Sequence, residues 1–335
     1  MNTVLTSVKL SPLVQDFFCQ NLIIQRNVSP QTVVAYRDTF CLFLRYASQK
    51  IKKHPVKMCL DDINASLVLD FLSYLETDRK NSIRTRNARL AAIRSFMHYA
   101  AYKEPASLNS INKVLSIPMK KFQRPVLNFL SREEIDAILE VPDTSTWSGL
   151  RDRVMFTVMY NTGARVSEIT GLKIRDLDLI FSPSIRIHGK GRKDRVLPVW
   201  KTTATMIKGW LDHIDGSADS PVFPNRFGNP LSSTGIEYRL RIAVRSACKL
   251  CPALKNRKIS PHIIRHTTAM HLLQSGVDLS VIALWLGHES PATTHMYMEA
   301  DFSMKEKALQ KLHETPKCST RYKAKDELLH FLEGL

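Results

Sequence analysis

The apolar residues of the first 117 positions recur at helical spacing. Amphipathic stripes predict helices that begin at Ser11-Pro12, at Ser29-Pro30 and at Asp61-Asp62, and a fourth helix over about 82–102. Serine followed by proline indicates a helix start, because the serine caps the helix and the proline fits its first turn. No glycine precedes Gly149 and the prolines fall at predicted boundaries, so the pattern predicts an all-helical N-terminal domain.

A mixed pattern follows a basic, proline-containing linker at 118–129. Residues 184–188 and 194–199 alternate between apolar and polar side chains, which predicts two strands joined by a turn at 189–193. The predicted fold class is therefore mainly α with a small antiparallel β-sheet. Helical spacing predicts the other elements at about 133–139, at 151–160, 202–213 and 233–250, from Pro261 onward, and at 277–286.

The composition indicates the kind of molecule that the protein binds. Lysine and arginine number 48 against 31 acidic residues, a formal net charge of +17, which indicates a polyanion such as nucleic acid, although some proteins are basic without one. No apolar run of about 18 residues and no signal peptide are recognised, so we expect a protein of the cytosol. Cys248 and Cys251 have half of a zinc spacing but no second pair, and no metal site is expected.

Five short segments carry side chains that packing does not easily explain. Residues 161–168 and 189–193 lie near the middle of the chain, and 261–266, 286–288 and 293–297 lie in its last third. The chemistry-bearing residues of these segments are Arg165, Lys190, His262, Arg265, His288 and Tyr297.

These residue types match the needs of phosphodiester chemistry. The transition state at phosphorus spreads negative charge over its oxygens, and guanidinium groups can hold those oxygens through paired hydrogen bonds. A tyrosine hydroxyl can attack phosphorus but, with a free pKa of about 10, needs a nearby base or cationic field. The leaving oxygen needs a proton, which a lysine or histidine can supply. We therefore expect no metal and no other cofactor.

The five segments resemble those of the tyrosine recombinases of the phage integrase family, which includes the Xer recombinases. Residues 162–169 are similar to the family's first arginine box, and 189–195 resemble the hairpin that holds its lysine. Residues 262–266 resemble its H-x-x-R box and 286–288 the box that follows, while Tyr297 lies nine positions farther on, at the spacing of the family's nucleophile. One box alone is weak evidence, whereas five in the family's order are a specific match.

The resemblance implies a role for each residue. Tyr297 would attack the scissile phosphate and form a 3′-phosphotyrosyl link, releasing a 5′-hydroxyl. Lys190 would protonate the leaving oxygen, and His262 would assist proton movement at the tyrosine. The groups that would hold the nonbridging oxygens are Arg165, Arg265 and His288.

Two neighbours of these residues receive supporting roles. Glu168, one turn after Arg165, is expected to orient that guanidinium. His266 is interpreted as structural, because the spacing of His262 and Arg265 puts those two side chains on one helix face.

The resemblance also implies double-stranded DNA as the partner, bound by a homo-tetramer on two DNA sites. The N-terminal domain resembles the family's helical, SAM-like core-binding domain, which clamps the DNA face opposite the α+β catalytic domain. The basic side chains of this domain would pair with DNA phosphates and make the affinity for DNA depend on salt concentration. The residues predicted to contact DNA are Arg84, Arg86, Arg89, Lys193, Arg195 and Arg241.

The predicted division of the chain is a core-binding domain at 1–117, the linker at 118–129, a catalytic domain at 130–310 and an extension at 311–335. The extension ends in an amphipathic segment that cannot bury its apolar face alone. By the family pattern, we expect it to pack against a neighbouring protomer.

Two other functions would use the same residues. A type IB topoisomerase-like enzyme would nick and close DNA without strand exchange, and an accessory protein with a decayed site would only bind DNA. The intact set of candidate residues argues against decay. The target site and the choice between integration, transposition, excision and replicon resolution stay open, and the long tail favours a mobile-element recombinase.

Overall fold

The computed structural model describes residues 8–122, 128–189 and 194–287, together with Tyr297. The backbone divides into two units, 1–124 and 125–335, each of which has its own apolar core. Within the described ranges, none of the helices combines the length and the apolar character that a bilayer span requires.

The first unit consists of helices joined by short turns. Ser29, Asn64 and Ser82 each accept a backbone N–H from the first turn of the helix that follows, at 3.3, 2.9 and 3.3 Å. These contacts satisfy donors that a helix start otherwise leaves unpaired. In chain order the helices are α1 (Leu10–Asp16), a π-helix that continues it (Phe17–Gln25), α2 (Pro30–Ile51), α3 (Ala65–Thr77), α4 (Ile83–Lys103) and α5 (Leu108–Leu115).

Aromatic rings fill the middle of this unit. The Phe96 ring packs edge-on against Phe17 and Phe40, with ring centroids 5.5 and 5.3 Å away. This is the geometry that aromatic pairs prefer, and all three rings are buried. The predicted all-helical character of this part of the chain is confirmed.

Two predicted helix starts are wrong. Helix α1 begins at Leu10, which places Pro12 inside its first turn, where a missing N–H costs little. The helix predicted from Asp61-Asp62 begins only at Ala65. The Asp62 carboxylate instead accepts the backbone N–H of Cys59 at 2.7 Å and caps a separate 3₁₀ turn.

The second unit combines helices with a small sheet. Among the described residues, three antiparallel strands, β1 (Leu177–Asp178), β2 (Ser184–His188) and β3 (Asp194–Pro198), lie side by side in that order. Ile187 on β2 pairs with Arg195 on β3. The predicted fold class is confirmed, although the two-residue strand β1 has no alternation from which it could be predicted. The elements are α6 (Arg132–Glu140), α7 (Trp147–Thr162), α8 (Val166–Thr170), β1 (Leu177–Asp178), β2 (Ser184–His188), β3 (Asp194–Pro198), α9 (Lys201–Leu211), α10 (Ser233–Ala247), α11 (Pro261–Gln274) and α12 (Leu279–Leu286).

Helix α7 forms the middle of the second core. Its residues from 154 to 162 are all buried, and it packs against α9 and α11. Gly163 ends the helix with a φ of +60°, so the chain turns sharply toward Arg165, which precedes α8. The packing of α11 against α7 brings the H-x-x-R segment to the same place.

Candidate active site

Three arginines converge on the C-terminal end of α12. The carbonyls at positions 285, 286 and 287 each accept a hydrogen bond from a different guanidinium: Arg195 Nε at 2.8 Å, Arg265 Nη2 at 2.6 Å and Arg165 Nη2 at 3.2 Å. A helix end carries unpaired carbonyls and partial negative charge, both of which favour cationic donors. The end of α12 therefore gathers cations from three distant segments of the chain.

Two glycines permit this approach. Gly287 adopts a φ of +64°, and a Cβ there would lie 3.1 Å from Arg195 Nη1. Gly163 has a φ of +60°, and a Cβ there would lie 2.6 Å from Leu286 Cδ2. The Gly163 carbonyl also accepts from Arg265 Nη1 at 2.7 Å. A side chain at either position would therefore separate the segments that hold the arginines.

Glu168 links two of these arginines. Its Oε1 accepts from Arg165 Nη1 at 2.9 Å, and its Oε2 accepts from Arg195 Nη2 at 2.8 Å. Burial by itself would raise the pKa of Glu168, but hydrogen bonds from Arg195 and from the Arg165 backbone N–H lower it below the ordinary value. The carboxylate is therefore ionised at neutral pH, and the contact expected between Glu168 and Arg165 is present.

The position of Arg195 disfavours the predicted contact with the DNA backbone. Its side chain is only 10% exposed, and it donates to both Glu168 oxygens and to the Trp285 carbonyl. Arg195 lies two positions before buried Leu197 on β3, so the alternation of the strand directs it inward. That alternation was the signal that could have identified it.

Arg265 is held rigidly inside the site. Its pKa is lowered to about 10, first by burial and then by the charge of Arg165, so it stays protonated at neutral pH. Carbonyls on two sides, those of Gly163 and Leu286, fix the plane of its guanidinium. Two like charges in one site repel, and a bound phosphate would relieve that repulsion.

Tyr297 packs against α11, and its phenol is hydrogen-bonded to a histidine of that helix. Its side chain is 1% exposed, and its Oη is 3.0 Å from His266 Nδ1. Burial raises the pKa of Tyr297, while the charges of Arg265 and Arg165 act to lower it. Burial, His262 and Arg265 lower the pKa of His266 to about 4, so this imidazole is neutral at physiological pH.

The interpretation of His266 as structural did not foresee this contact with the Tyr297 phenol. Helical geometry could have revealed this, since His266 is four residues after His262 and such residues share a face. His262 itself is exposed in the first turn of α11. Lys190, Lys193 and His288 lie outside the described residues.

Comparison with known proteins identifies the family of the chain. The model of the phage integrase family matches residues 128–304, and that of the phage integrase N-terminal SAM-like domain matches residues 16–104. The chain belongs to the phage integrase family. A putative integrase/recombinase of Sinorhizobium fredii, y4rC, is 44% identical to it over 97% of this chain and 98% of its own length.

A further relative and a solved structure are also similar to this chain. The tyrosine recombinase XerC of Xylella fastidiosa is 30% identical over 91% of this chain and 97% of its own. The XerH site-specific recombinase, solved in a post-cleavage complex with its difH substrate, shares the fold at a TM-score of 0.68 and 24% identity, over 85% of this chain and 81% of that one. The chain is a tyrosine recombinase, an enzyme that cuts and rejoins DNA, and neither the topoisomerase-like nor the accessory alternative is favoured.

The arginines predicted on the DNA surface of the recombinase differ in exposure. Arg84 on α4 and Arg241 on α10 are exposed, and Arg89 is half-buried. Arg86 is 4% exposed, and its Nη1 donates to the Pro118 carbonyl at 3.2 Å. The position of Arg86 therefore disfavours the predicted contact with DNA, because its guanidinium is buried against the end of its own unit.

This difference gives a testable contrast between neighbouring arginines. We expect Arg86→Ala to lower the free energy of unfolding by about 1–3 kcal/mol, because it leaves the Pro118 carbonyl without this donor. Arg84→Ala, at an exposed position, should change stability by less than about 0.5 kcal/mol and reduce the slope of log affinity against log salt by about 1. Urea unfolding and salt-dependent DNA binding measure the two effects, and a normal stability of the Arg86 variant would contradict the assignment.

The half-buried imidazole of His266 should also make the recombinase sensitive to mild acid. Its pKa is about 4 when folded and near 6.5 when unfolded, so the unfolded chain binds more protons between these values. Stability should then fall as the pH is lowered from 6.5 toward 4, by roughly 2 kcal/mol after allowance for partial solvent access. Urea unfolding across this range should show a weaker pH dependence for His266→Asn, and equal slopes would contradict the prediction.

Proposed function

We propose that this chain is a site-specific DNA recombinase whose nucleophile is Tyr297. The phenolic oxygen attacks the scissile phosphate, forms a 3′-phosphotyrosyl link and releases a 5′-hydroxyl. The observation that carries the proposal is the arrangement around α11 and α12. The buried phenol of Tyr297 packs against α11, and the charges of Arg165 and Arg265 act on it. Besides their contacts with backbone carbonyls and Glu168, these cations keep N–H donors that suit a bound anion.

The two arginines would hold the nonbridging oxygens of the phosphate. Each is already oriented by backbone carbonyls, and Arg165 also by Glu168, so little reorganisation is needed as charge develops in the transition state. A guanidinium has more N–H donors than these contacts use, which leaves capacity for phosphate. His288 would join them, Lys190 would protonate the leaving oxygen and His262 would assist proton movement.

No metal and no nucleotide enter this scheme. The bond energy of the phosphodiester is kept in the phosphotyrosyl link, and the 5′-hydroxyl of a second strand can reverse the attack. The partner is double-stranded DNA, bound in the cytoplasm by four protomers on two sites. Arg84, Arg89, Lys193 and Arg241 would contact its backbone, and the extension at 311–335, which lies outside the described residues, would join neighbouring protomers.

A nicked DNA substrate tests this proposal. A duplex selected from a random library by binding to the chain is prepared with nicks at successive positions, so that cleavage beside a nick releases a short fragment and traps the covalent complex. We expect the adduct to form in the presence of a chelator and to map by peptide mass spectrometry to Tyr297. An adduct on another residue, or its loss on chelation, would sink the proposal.

A further inference from the structure

The contact between His266 and Tyr297 differs from the assignment that the H-x-x-R resemblance implies. That resemblance gives proton movement at the tyrosine to His262, which is exposed in the first turn of α11. His266 lies one turn farther along the same helix, and its Nδ1 is 3.0 Å from Tyr297 Oη. The two rings meet edge-on with centroids 5.7 Å apart.

The surroundings of this pair exclude most water. Tyr297 packs in a buried apolar cluster with Met270, Ile282 and Leu286. The direction of this hydrogen bond depends on the tautomer of His266. In the tautomer that carries its proton on Nε2, the phenol donates to Nδ1 and its proton is already directed at an acceptor. A base must lie within hydrogen-bond reach of the proton it takes, and His266 meets this requirement.

We propose that His266 is the proton acceptor for Tyr297 in the cleavage step. The inference rests on the proposed function. As Oη forms its bond to phosphorus, the phenolic O–H bond breaks and the proton passes to His266 Nδ1, which gives an imidazolium. The bond between phosphorus and the 5′-oxygen breaks, and that oxygen takes a proton from Lys190. When the strands are rejoined, the imidazolium returns its proton to Oη.

The charges around His266 link this proton transfer to DNA binding. His262 and Arg265 face it from α11, and both disfavour an imidazolium, which agrees with its neutral state in the absence of DNA. Arg265 and Arg165 also face Tyr297 and favour a phenolate. A scissile phosphate bound to Arg265 would offset part of the charge that disfavours the imidazolium, so the imidazole becomes a stronger base when substrate is present.

The test compares leaving groups on the nicked duplex described above. One version has the natural 5′-oxygen at the cleavage position and the other has 5′-sulfur, which leaves without being protonated. We expect His266→Asn, which keeps a polar acceptor but cannot take up the proton, to form the adduct about 10²-fold or more slowly on both substrates. Lys190→Ala should be slow with oxygen and close to the unmodified chain with sulfur.

Two results would overturn the assignment of His266. A rate for His266→Asn within a few-fold of the unmodified chain would leave it only a positioning role, and recovery on the sulfur substrate would place it at the leaving group. A fluorinated tyrosine at position 297, whose phenol is more acidic, gives a second measurement: it should recover part of the rate lost in His266→Asn, and no recovery would count against the proposal.

Failure of the proposed function would look different. In that case the unmodified chain would form no adduct at Tyr297, or Tyr297→Phe would still form one. A normal adduct in the unmodified chain together with an unimpaired His266→Asn variant would contradict only the role of His266. Binding of each variant to intact duplex, measured in parallel, confirms that the compared proteins are folded.

Discussion

Arg265→Lys should slow formation of the covalent adduct by about 10³-fold or more while the chain still binds DNA. A lysine keeps the positive charge but is a single point donor, whereas the guanidinium of Arg265 reaches the Gly163 and Leu286 carbonyls from two nitrogens and still faces the site. The change therefore removes orientation rather than charge. Single-turnover adduct formation on the nicked duplex measures the rate, and competition binding measures affinity.

Arg175→Lys is a suitable control for this substitution. Arg175 is an exposed arginine of the same unit, paired at 2.6 Å with Asp219, an exposed carboxylate that is not among the candidate residues. Exchange of one exposed cation for another should leave the rate within about two-fold, since exposed ion pairs contribute little. If Arg265→Lys cleaved as fast as this control, the fixed guanidinium would not be needed for the transition state.

The segments that carry the site could be predicted because each depends on local sequence. Gly163 ends α7 and Gly287 ends α12, both with positive φ, and Pro261 begins α11. The helix boundaries therefore lie where the motifs predict them. The resemblance of these segments to one family supplied the fold and the reaction. Both follow from patterns that a few neighbouring residues contain.

The convergence of the arginines could not be predicted in the same way. Nothing in the sequence near Arg195 or Arg165 indicates that both donate to carbonyls at the end of a helix more than 80 residues later, because that contact depends on how α8, β3 and α12 pack together. Whether a side chain faces the core or the solvent could be predicted more readily from the sequence. Arg86 lies four residues before buried Leu90 on α4, a spacing that already favours an inward position.

Glu168→Ala should lower the free energy of unfolding by about 3–5 kcal/mol, the usual consequence of removing one partner of a buried ion pair. The Glu168 side chain is 4% exposed, and its loss leaves Arg165 and Arg195 without their shared carboxylate in a site that also contains Arg265. Three cations would then repel one another around the end of α12. Urea unfolding monitored by circular dichroism measures the change.

Glu133→Ala provides the control, since this carboxylate is exposed on α6 and accepts a hydrogen bond from Ser131 Oγ at its own helix start. We expect Glu133→Ala to lower the free energy of unfolding by well under half as much as Glu168→Ala. Comparable losses for the two variants would mean that the carboxylate of Glu168 has no special part in holding the arginines.

A second substitution separates the two contributions of Glu168. Replacing Arg195 by methionine in the Glu168→Ala chain removes one uncompensated buried charge, so part of the lost stability should return and the two changes should not be additive. The rate of adduct formation should stay low in the double variant, because Arg165 still lacks the carboxylate that fixes its Nη1. Recovery of both stability and rate would show instead that Glu168 only neutralises charge, and that the orientation of Arg165 comes from the Gly287 carbonyl.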